Sequence, residues 1–165
     1  MITVKINGEE RQYPQGATYE DVANDYQKEY DNLIALAARD GKIRELFKKL
    51  TRDCEITFFT LKDDVGNKTY VRSATMLFLK AVFDVFGRET VQNCRVEFAI
   101  GNGSYISPKG KINATEENAA KIRNRMRELV EAKTPFLKKS YSLDNAMELF
   151  RREGMKDCLL YTSDA

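Results

Sequence analysis

The stretch ITVKINGEERQYPQGATYEDVA, residues 2–23, decides the fold of the first part of this chain. Apolar and polar residues alternate over residues 2–6, which is typical of a half-buried strand. Asn7-Gly8 favours a tight hairpin turn, so residues 10–13 are predicted to form the returning strand. Thr18 is a preferred helix N-cap residue, and acidic residues follow it in the first turn, where the helix dipole stabilises them.

Working outward from that stretch, residues 1–62 form one predicted domain. Three further strands are predicted, over residues 33–38, 43–46 and 54–59, with Asp40-Gly41 as the turn between the first two. The order strand, strand, helix, strand, strand, strand predicts a small mixed sheet crossed by one helix, which is the β-grasp architecture.

The pattern of the remaining sequence predicts a second α+β domain over residues 70–157, after a polar linker at 63–69. Residues 70–87 are apolar on nearly every face, so we expect the most buried helix there, ended by Gly87. The other predicted elements are a strand at 91–100 that turns back at Gly101-Asn102-Gly103, a helix capped by Thr115, a strand at 136–141 and a helix capped by Ser142.

The last residues, 158–165, continue no predicted element. They are similar to translated sequencing-adapter sequence, so we interpret them as a non-native tail. We accordingly expect the natural protein to continue beyond residue 157.

The composition excludes several classes of chemistry. The chain of 165 residues has no histidine, so Ser-His-Asp catalysis, Cys-His catalysis and His-ligated metal sites are impossible. Its three cysteines are far apart in sequence, which excludes a disulfide framework and fits the cytoplasm. The net charge of +2 points to no particular polyanion, and no apolar run reaches the ~18 residues of a membrane span. We expect no catalytic residue and no metal site in this chain.

Two glycine-containing segments are too incomplete to bind a nucleotide cofactor. Gly110-Lys111 is followed by Ile112, whereas a phosphate-binding loop needs Ser or Thr there and a second glycine upstream. Gly101-Asn102-Gly103 lacks the third glycine of a dinucleotide-binding loop. Both predict ordinary turns, so no cofactor is expected in this chain.

The helix after Thr115 carries a run of four basic residues, Lys121, Arg123, Arg125 and Arg127. Glutamates lie three or four positions away, so one interpretation is a surface helix covered with ion pairs. The other is contact with nucleic-acid phosphates, for which the candidate residues are Lys121, Arg125, Lys138 and Lys139.

Both halves of the chain resemble the front of threonyl-tRNA synthetases. The first half resembles the TGS domain, a β-grasp module, at Ile2-Thr3-Val4, Gly8, Tyr13-Pro14, Gly16-Ala17-Thr18 and Asp21-Val22-Ala23. The second half is similar to the editing domain of threonyl- and alanyl-tRNA synthetases. Its matching segments are Tyr70 to Leu77, Thr115-x-Glu117, Met126 to Leu129 and Ser142 to Phe150.

The resemblance breaks where the editing chemistry resides. Synthetases of that family carry His-Ser-x-x-His-Leu, and its two histidines belong to the site that hydrolyses mischarged tRNA. Arg72 and Met76 stand at those positions, and neither is a general base at pH 7 or a good ligand for hard metals. The resemblance therefore implies a cleft without editing activity, lined by Arg72, Ser73, Met76 and Tyr105. Arg72 either pairs with a local acid such as Glu97 or extends from the helix start into solvent, or it binds an anion, a nucleotide or the 3′ end of an RNA.

Bacterial nucleoside kinases of the uridine-kinase type carry a similar front end without the histidines. Three segments resemble that family more closely: Arg72 to Met76, Glu97 to Ile100 and Pro135-Phe136. This resemblance implies a non-catalytic regulatory or ligand-binding region, followed in cis by a kinase domain that would use ATP and Mg²⁺. The alternative is the tRNA-binding front end of a threonyl-tRNA synthetase-like protein.

Overall fold

The structure, a computed structural model, describes residues 1–100, 103–108 and 113–154. The chain divides into two compact units, Met1–Leu129 and Val130–Ala165. The strands are β1 (Ile2–Ile6), β2 (Glu9–Tyr13), β3 (Ile34–Arg39), β4 (Lys42–Arg44), β5 (Cys54–Thr60), β6 (Cys94–Ile100) and β7 (Gly103–Pro108). The α-helices are α1 (Tyr19–Tyr26), α2 (Asp64–Phe86), α3 (Arg88–Gln92), α4 (Glu116–Glu131) and α5 (Leu143–Arg152).

A mixed five-stranded sheet organises the start of the first unit. Its strand order is β2-β1-β5-β3-β4, with β1 parallel to β5 and the other neighbours antiparallel. β6 and β7 form a separate two-stranded sheet. The predicted order of the first six elements is confirmed, and the fold is α+β, with a β-grasp sheet followed by further helices and a hairpin.

Both predicted hairpin turns adopt the backbone conformation that their residues favour. Asn7 and Gly8 have φ values of 52° and 88°, and Asp40 and Gly41 have φ values of 49° and 76°. A two-residue turn of this kind needs positive φ at both positions, which glycine adopts without strain and asparagine or aspartate tolerates. The turns fix the registers of the β1–β2 and β3–β4 pairs.

Helix α1 is fixed by its first turn and by the face it buries. The Thr18 hydroxyl accepts a hydrogen bond from the Asp21 N–H at 3.1 Å, and the Asp21 carboxylate accepts one from the Thr18 N–H at 2.7 Å. This reciprocal cap confirms the predicted start and lowers the pKa of Asp21. The core between α1 and the sheet is formed mainly by Ile2, Val4, Ile6, Tyr19, Val22, Ala23, Tyr26, Ile34, Ala37, Leu50, Ile56 and Phe58.

The prediction that residues 63–69 form a loop-like linker is wrong, because residues 64–69 form the first turns of α2. The Asp63 carboxylate accepts hydrogen bonds from the Thr60 N–H at 2.7 Å and the Thr60 hydroxyl at 2.9 Å, which orders the entry to the helix. A Cβ on Gly66 would lie 2.0 Å from the Thr60 carbonyl oxygen. The glycine therefore serves close packing of the helix, whereas the sequence pattern suggested a loop. The division into domains at 1–62 and 70–157 stays a prediction.

Helix α2 is much less buried than its composition predicts. Its buried residues are Gly66, Ala81 and Val82, whereas Tyr70 and Met76 are 54% and 60% exposed. The prediction that this is the most buried helix is wrong, since α1 buries four of its eight residues. In the described part of the chain, β3 and β5 pack against α2 near its start and α3 packs near its end. Apolar composition indicates which residues of a helix can be buried. Which of them are buried depends on the elements that pack against the helix.

Gly87 ends α2 as predicted, with φ at 84° and its N–H donating to the Phe83 carbonyl at 2.9 Å. The following strand begins later than predicted, because α3 takes up residues 88–92 first. Gly101 and Asn102 of the predicted turn lie outside the described residues, although Gly103 begins β7. The Thr115 hydroxyl accepts from the Asn118 N–H at 3.2 Å, which confirms the predicted cap of α4.

In the described part of the second unit, the last two residues of α4 are followed by a segment without helix or strand and then by α5. The predicted strand at 136–141 is wrong, because no described segment pairs with it, and Phe136 and Leu137 are 57% and 78% exposed. An isolated extended segment has no ladder of hydrogen bonds to hold it. Ser142 caps α5 as predicted, its hydroxyl accepting from the Asn145 N–H at 3.4 Å. The predicted tail at 158–165 lies outside the described residues.

Candidate functional site

An open cavity of about 280 Å³ lies where α2, the β6–β7 hairpin and the start of α4 meet. Phe78, Cys94 and Ile106 provide one wall. The start of α4 provides the other, through Asn113, Ala114, Thr115, Glu116, Asn118, Ala119 and Ile122. Such a mostly apolar hollow with a few polar groups at its rim is the usual form of a small-molecule pocket.

The polar groups of the cavity rim are already engaged. The Asn118 amide donates to the Asn113 carbonyl at 3.0 Å, and Glu116 pairs with Arg123 at 3.4 Å. Burial raises the pKa of the Cys94 thiol, so this cysteine is a poor nucleophile at neutral pH. Among the described residues, no group of three acidic, cysteine or histidine side chains is placed to hold a metal ion. The cavity can hold an apolar group, and the carboxylate among its lining residues, that of Glu116, is paired with Arg123.

The four residues of the predicted cleft do not line this cavity, to which α2 contributes Phe78. Arg72 and Met76 lie four residues apart on α2, hence on one helix face, and both are exposed. The Ser73 hydroxyl donates to the Thr69 carbonyl at 3.0 Å, within the helix. Tyr105 lies on β7 and stacks on Phe98, with ring centroids 5.1 Å apart. The cleft proposed for these four residues stays a prediction.

Arg72 retains a guanidinium that no described side chain neutralises. Neither the Arg72 nor the Glu97 side chain forms a hydrogen bond or ion pair within the ranges 1–100, 103–108 and 113–154, so the Arg72–Glu97 pair is not formed there. Met76, one turn later, is an exposed thioether. The face that carries a histidine pair in the resembled synthetases therefore presents a permanent cation and an apolar side chain.

Two of the predicted phosphate contacts on α4 are occupied by acids of the chain itself. Lys121 pairs with Glu117 at 2.7 Å, and this hydrogen bond lowers the pKa of Glu117. Arg125 pairs with Glu128 at 2.8 Å and with Asp84 of α2 at 2.9 Å. These contacts favour the interpretation of α4 as a helix covered with ion pairs.

The other two predicted phosphate contacts, Lys138 and Lys139, lie in the part of the second unit that has no helix or strand. Both side chains are exposed. Their role as phosphate contacts stays a prediction.

Sequence reasoning missed the cavity because its walls come from distant segments. Cys94 is half-buried and lines an apolar wall of the cavity. The available signal was local: the capped start of α4 follows a hairpin, and such helix starts often border pockets. No sequence pattern specifies that Phe78 and Ile106 meet there.

Acid should destabilise the contact between α2 and α4. Hydrogen bonds from Lys80 and Arg125 hold the pKa of Asp84 below its ordinary value of 3.8. A group with a lowered folded-state pKa stabilises the fold fully above its unfolded-state pKa and loses that contribution as pH falls through the folded value. We expect Asp84→Asn to lower the free energy of unfolding at pH 7 but to have little effect near pH 2.

Urea unfolding from pH 2 to pH 7 measures this difference. Asp31→Asn is the matched control, since Asp31 is exposed and forms no ion pair with any described residue. An Asp84→Asn cost that is the same at pH 2 and pH 7 would contradict the assignment of the pair.

Comparison with known proteins places most of this chain beside one class of enzyme. It is 29% identical over 160 residues to a threonine–tRNA ligase, also called threonyl-tRNA synthetase, of Thermotoga maritima, covering 94% of this chain and 24% of that protein. The threonine–tRNA ligases of Maricaulis maris and Rhizobium etli are each 28% identical, covering 93% and 90% of this chain and 24% and 22% of those proteins. No family model matches the chain.

The chain spans about a quarter of the length of these curated relatives. No described helix has the length and apolar character that crossing a membrane requires. The similarity to these threonyl-tRNA synthetases extends over most of the chain. It supports the interpretation of the chain as a region of the TGS- and editing-domain type.

Proposed function

We propose that this chain is a tRNA-binding front region of a threonyl-tRNA synthetase-like protein and that it does not hydrolyse mischarged tRNA. The observation that carries the proposal is similarity to threonine–tRNA ligases over 94% of the chain, combined with the absence of histidine from all 165 residues. Binding surfaces can persist where catalytic groups have been replaced.

We propose that Arg72 contacts the RNA, on the face of α2 where the resembled synthetases carry their histidine pair. It is exposed on α2 and forms no ion pair with any described residue. Its planar guanidinium suits two-point contact with a phosphate or carboxylate. Met76 on the same face supplies apolar surface without proton-transfer chemistry. This pair can hold the end of an RNA but cannot activate water.

Fluorescence anisotropy with labelled tRNA, together with a deacylation assay on mischarged tRNA, tests the proposal. We expect binding without turnover. Arg72→Ala should weaken binding about 10-fold, or about 1.4 kcal/mol, at an unchanged melting temperature. Lys68→Ala is the matched control, because Lys68 lies one turn earlier on the same helix and is already paired with Asp64, and it should retain most of the affinity.

Two results would contradict the proposal. Multiple turnovers of mischarged tRNA would show a catalytic group that this chain should lack. If Arg72→Ala left tRNA affinity unchanged and lowered the melting temperature, Arg72 would be a structural residue.

A second candidate function is the regulatory front end of a nucleoside kinase. It is favoured by the segments Arg72 to Met76, Glu97 to Ile100 and Pro135-Phe136, and by the missing histidine pair, for which a kinase has no use. ATP and Mg²⁺ would then bind to a kinase domain in cis, and this chain would bind a nucleotide effector. A phosphate-binding loop within about 100 residues after residue 157 would support this candidate. The zinc-bound catalytic core of a synthetase there would support the first, and calorimetry with uridine, ATP and tRNA compares the two directly.

A further inference from the structure

Three cations, two on the edge strand β4 and one just after the turn that follows it, form no ion pair with a described acid. We call Lys42, Arg44 and Lys49 the β4 basic strip. Lys42 and Lys49 are exposed, and Arg44 is half-buried. Within the described residues none of the three forms an ion pair, and the one hydrogen bond shown for them joins the Arg44 guanidinium to the Ile43 carbonyl at 3.2 Å.

The fold presents two members of the strip side by side. β4 is the edge strand of the sheet, and its residues Lys42 and Arg44 lie two positions apart, so they lie on the same face. They oppose Arg39 and Ala37 of β3, and Arg39 donates to the Thr51 hydroxyl at 3.0 Å without pairing with a described acid. This edge therefore concentrates positive charge.

Several other basic residues of the chain are paired with acidic residues. Lys48 pairs with Glu45 at 2.9 Å, and Arg52 pairs with Asp40 at 2.8 Å. Lys121 on α4 is paired in the same way. Unlike these residues, the three cations of the β4 basic strip form no ion pair with a described acid. An anion that binds to them would therefore displace no ion pair seen in the described residues.

An exposed aromatic residue follows the strip's strand. Phe47 is 55% exposed and lies in the turn from Glu45 to Lys48, which closes with a backbone hydrogen bond of 3.1 Å. Ile43, on β4, is 50% exposed. Phe47 lies three residues after Arg44 and two before Lys49 in the sequence. Aromatic side chains interspersed with cations are the pattern by which proteins bind single-stranded nucleic acid, with bases stacked on rings and phosphates on cations.

The turn that carries Phe47 is held in place by helix α1. The Tyr19 N–H donates to the Lys48 carbonyl at 3.0 Å, and the Glu20 N–H donates to the Leu46 carbonyl at 2.8 Å. The Leu50 N–H donates to the Ala17 carbonyl at 2.7 Å. A turn that is already fixed loses little conformational freedom on binding, so a ligand binds to it at a lower entropic cost than to a flexible loop.

We propose that the β4 basic strip and Phe47 form a binding site for single-stranded RNA, with phosphates on Lys42, Arg44 and Lys49 and a base stacked on Phe47. This proposal rests on the proposed function, because it takes RNA as the ligand. It adds a second contact surface, which is far from Arg72 in the sequence. An acidic protein partner would need the cations but not a stacking ring.

The test measures anisotropy of a labelled 12-nucleotide single-stranded RNA and of labelled tRNA across a KCl series. Each single-strand phosphate contact contributes about 0.7 to the slope of log affinity against log salt. Lys42→Gln combined with Lys49→Gln should therefore reduce the slope by about 1.4 and weaken binding at least 10-fold. Phe47→Ala should weaken binding about 10-fold at an unchanged slope, and Phe47→Tyr should restore it.

Lys48→Gln and Lys121→Gln are the matched controls, because both lysines are paired with glutamates, and neither should change the slope. All variants should melt at the temperature of the parent chain. Unchanged RNA affinity in the double variant overturns the β4 site, and so does binding that Phe47→Ala leaves intact, since the surface would then attract any polyanion.

The two proposals fail separately. If Arg72→Ala weakens tRNA binding while the strip variants do not, the proposed function stands and the β4 site falls. If the chain binds the 12-nucleotide RNA through the strip but does not bind tRNA, the β4 site stands and the proposed function falls.

Discussion

Phe58→Ala should lower the free energy of unfolding by about 3–5 kcal/mol, the cost of removing a buried aromatic side chain and leaving a cavity. Phe58 is 5% exposed, in the core between β5 and α1. Its ring lies 6.2 Å from that of Tyr26 and 6.0 Å, edge to face, from that of Tyr30. Both ring contacts are lost with the side chain, and such pairs add about 0.5–1.5 kcal/mol to simple burial.

Urea unfolding followed by circular dichroism measures this effect, with a fall in melting temperature of roughly 10 °C expected alongside it. Phe47→Ala is the matched control, since Phe47 is 55% exposed and its removal should change stability by no more than about 0.5 kcal/mol. Equal costs for the two substitutions would contradict the assignment of Phe58 to the core.

Gly66→Ala should lower the free energy of unfolding by about 2 kcal/mol. The new methyl group would lie 2.0 Å from the carbonyl oxygen and 2.8 Å from the carbonyl carbon of Thr60. Both are backbone atoms, so the helix or the strand end must move, and such overpacking costs about 1–3 kcal/mol or more. The loss exceeds the ~1 kcal/mol that alanine gains over glycine within a helix.

Asn67→Ala is the control for this second substitution, because Asn67 is the next residue of the same helix and is exposed. Alanine favours the helix there and meets no close neighbour, so stability should stay the same or rise by a few tenths of a kcal/mol. If Gly66→Ala were also stabilising, the close approach of α2 to Thr60 would be wrong.

Local signals in the sequence predicted most of the β-grasp sheet. Asn7-Gly8 and Asp40-Gly41 need only their own backbone preferences to form turns, and Thr18 needs only Asp21 to cap a helix. Alternation over residues 2–6 then indicates which side of β1 is buried. These features depend on residues close together in the chain.

Features that depend on distant partners were not predictable in this way. Gly66 looks like a loop residue until the Thr60 carbonyl is known to lie beside it. Residues 136–141 have a strand's composition but no described partner strand.

The candidate site shows the same division between local and distant contacts. The Lys121–Glu117 pair follows from helical spacing, whereas Arg125–Asp84 joins residues 41 positions apart. Helical spacing also places Arg72 and Met76 on one face, but the cavity nearby requires α2, the hairpin and α4 to be packed first.

The continuity of α2 through residues 64–69 limits how the length of this segment can change during evolution. The helix has 23 residues and is anchored near its start by Gly66. A loop tolerates an inserted residue by bulging outward. One residue inserted into a helix instead rotates everything after it by about 100° and advances it by about 1.5 Å. Arg72 and Met76 would then turn away from their present direction, whereas insertions or deletions close to a whole number of turns, such as about seven or eleven residues, preserve the phase of that face.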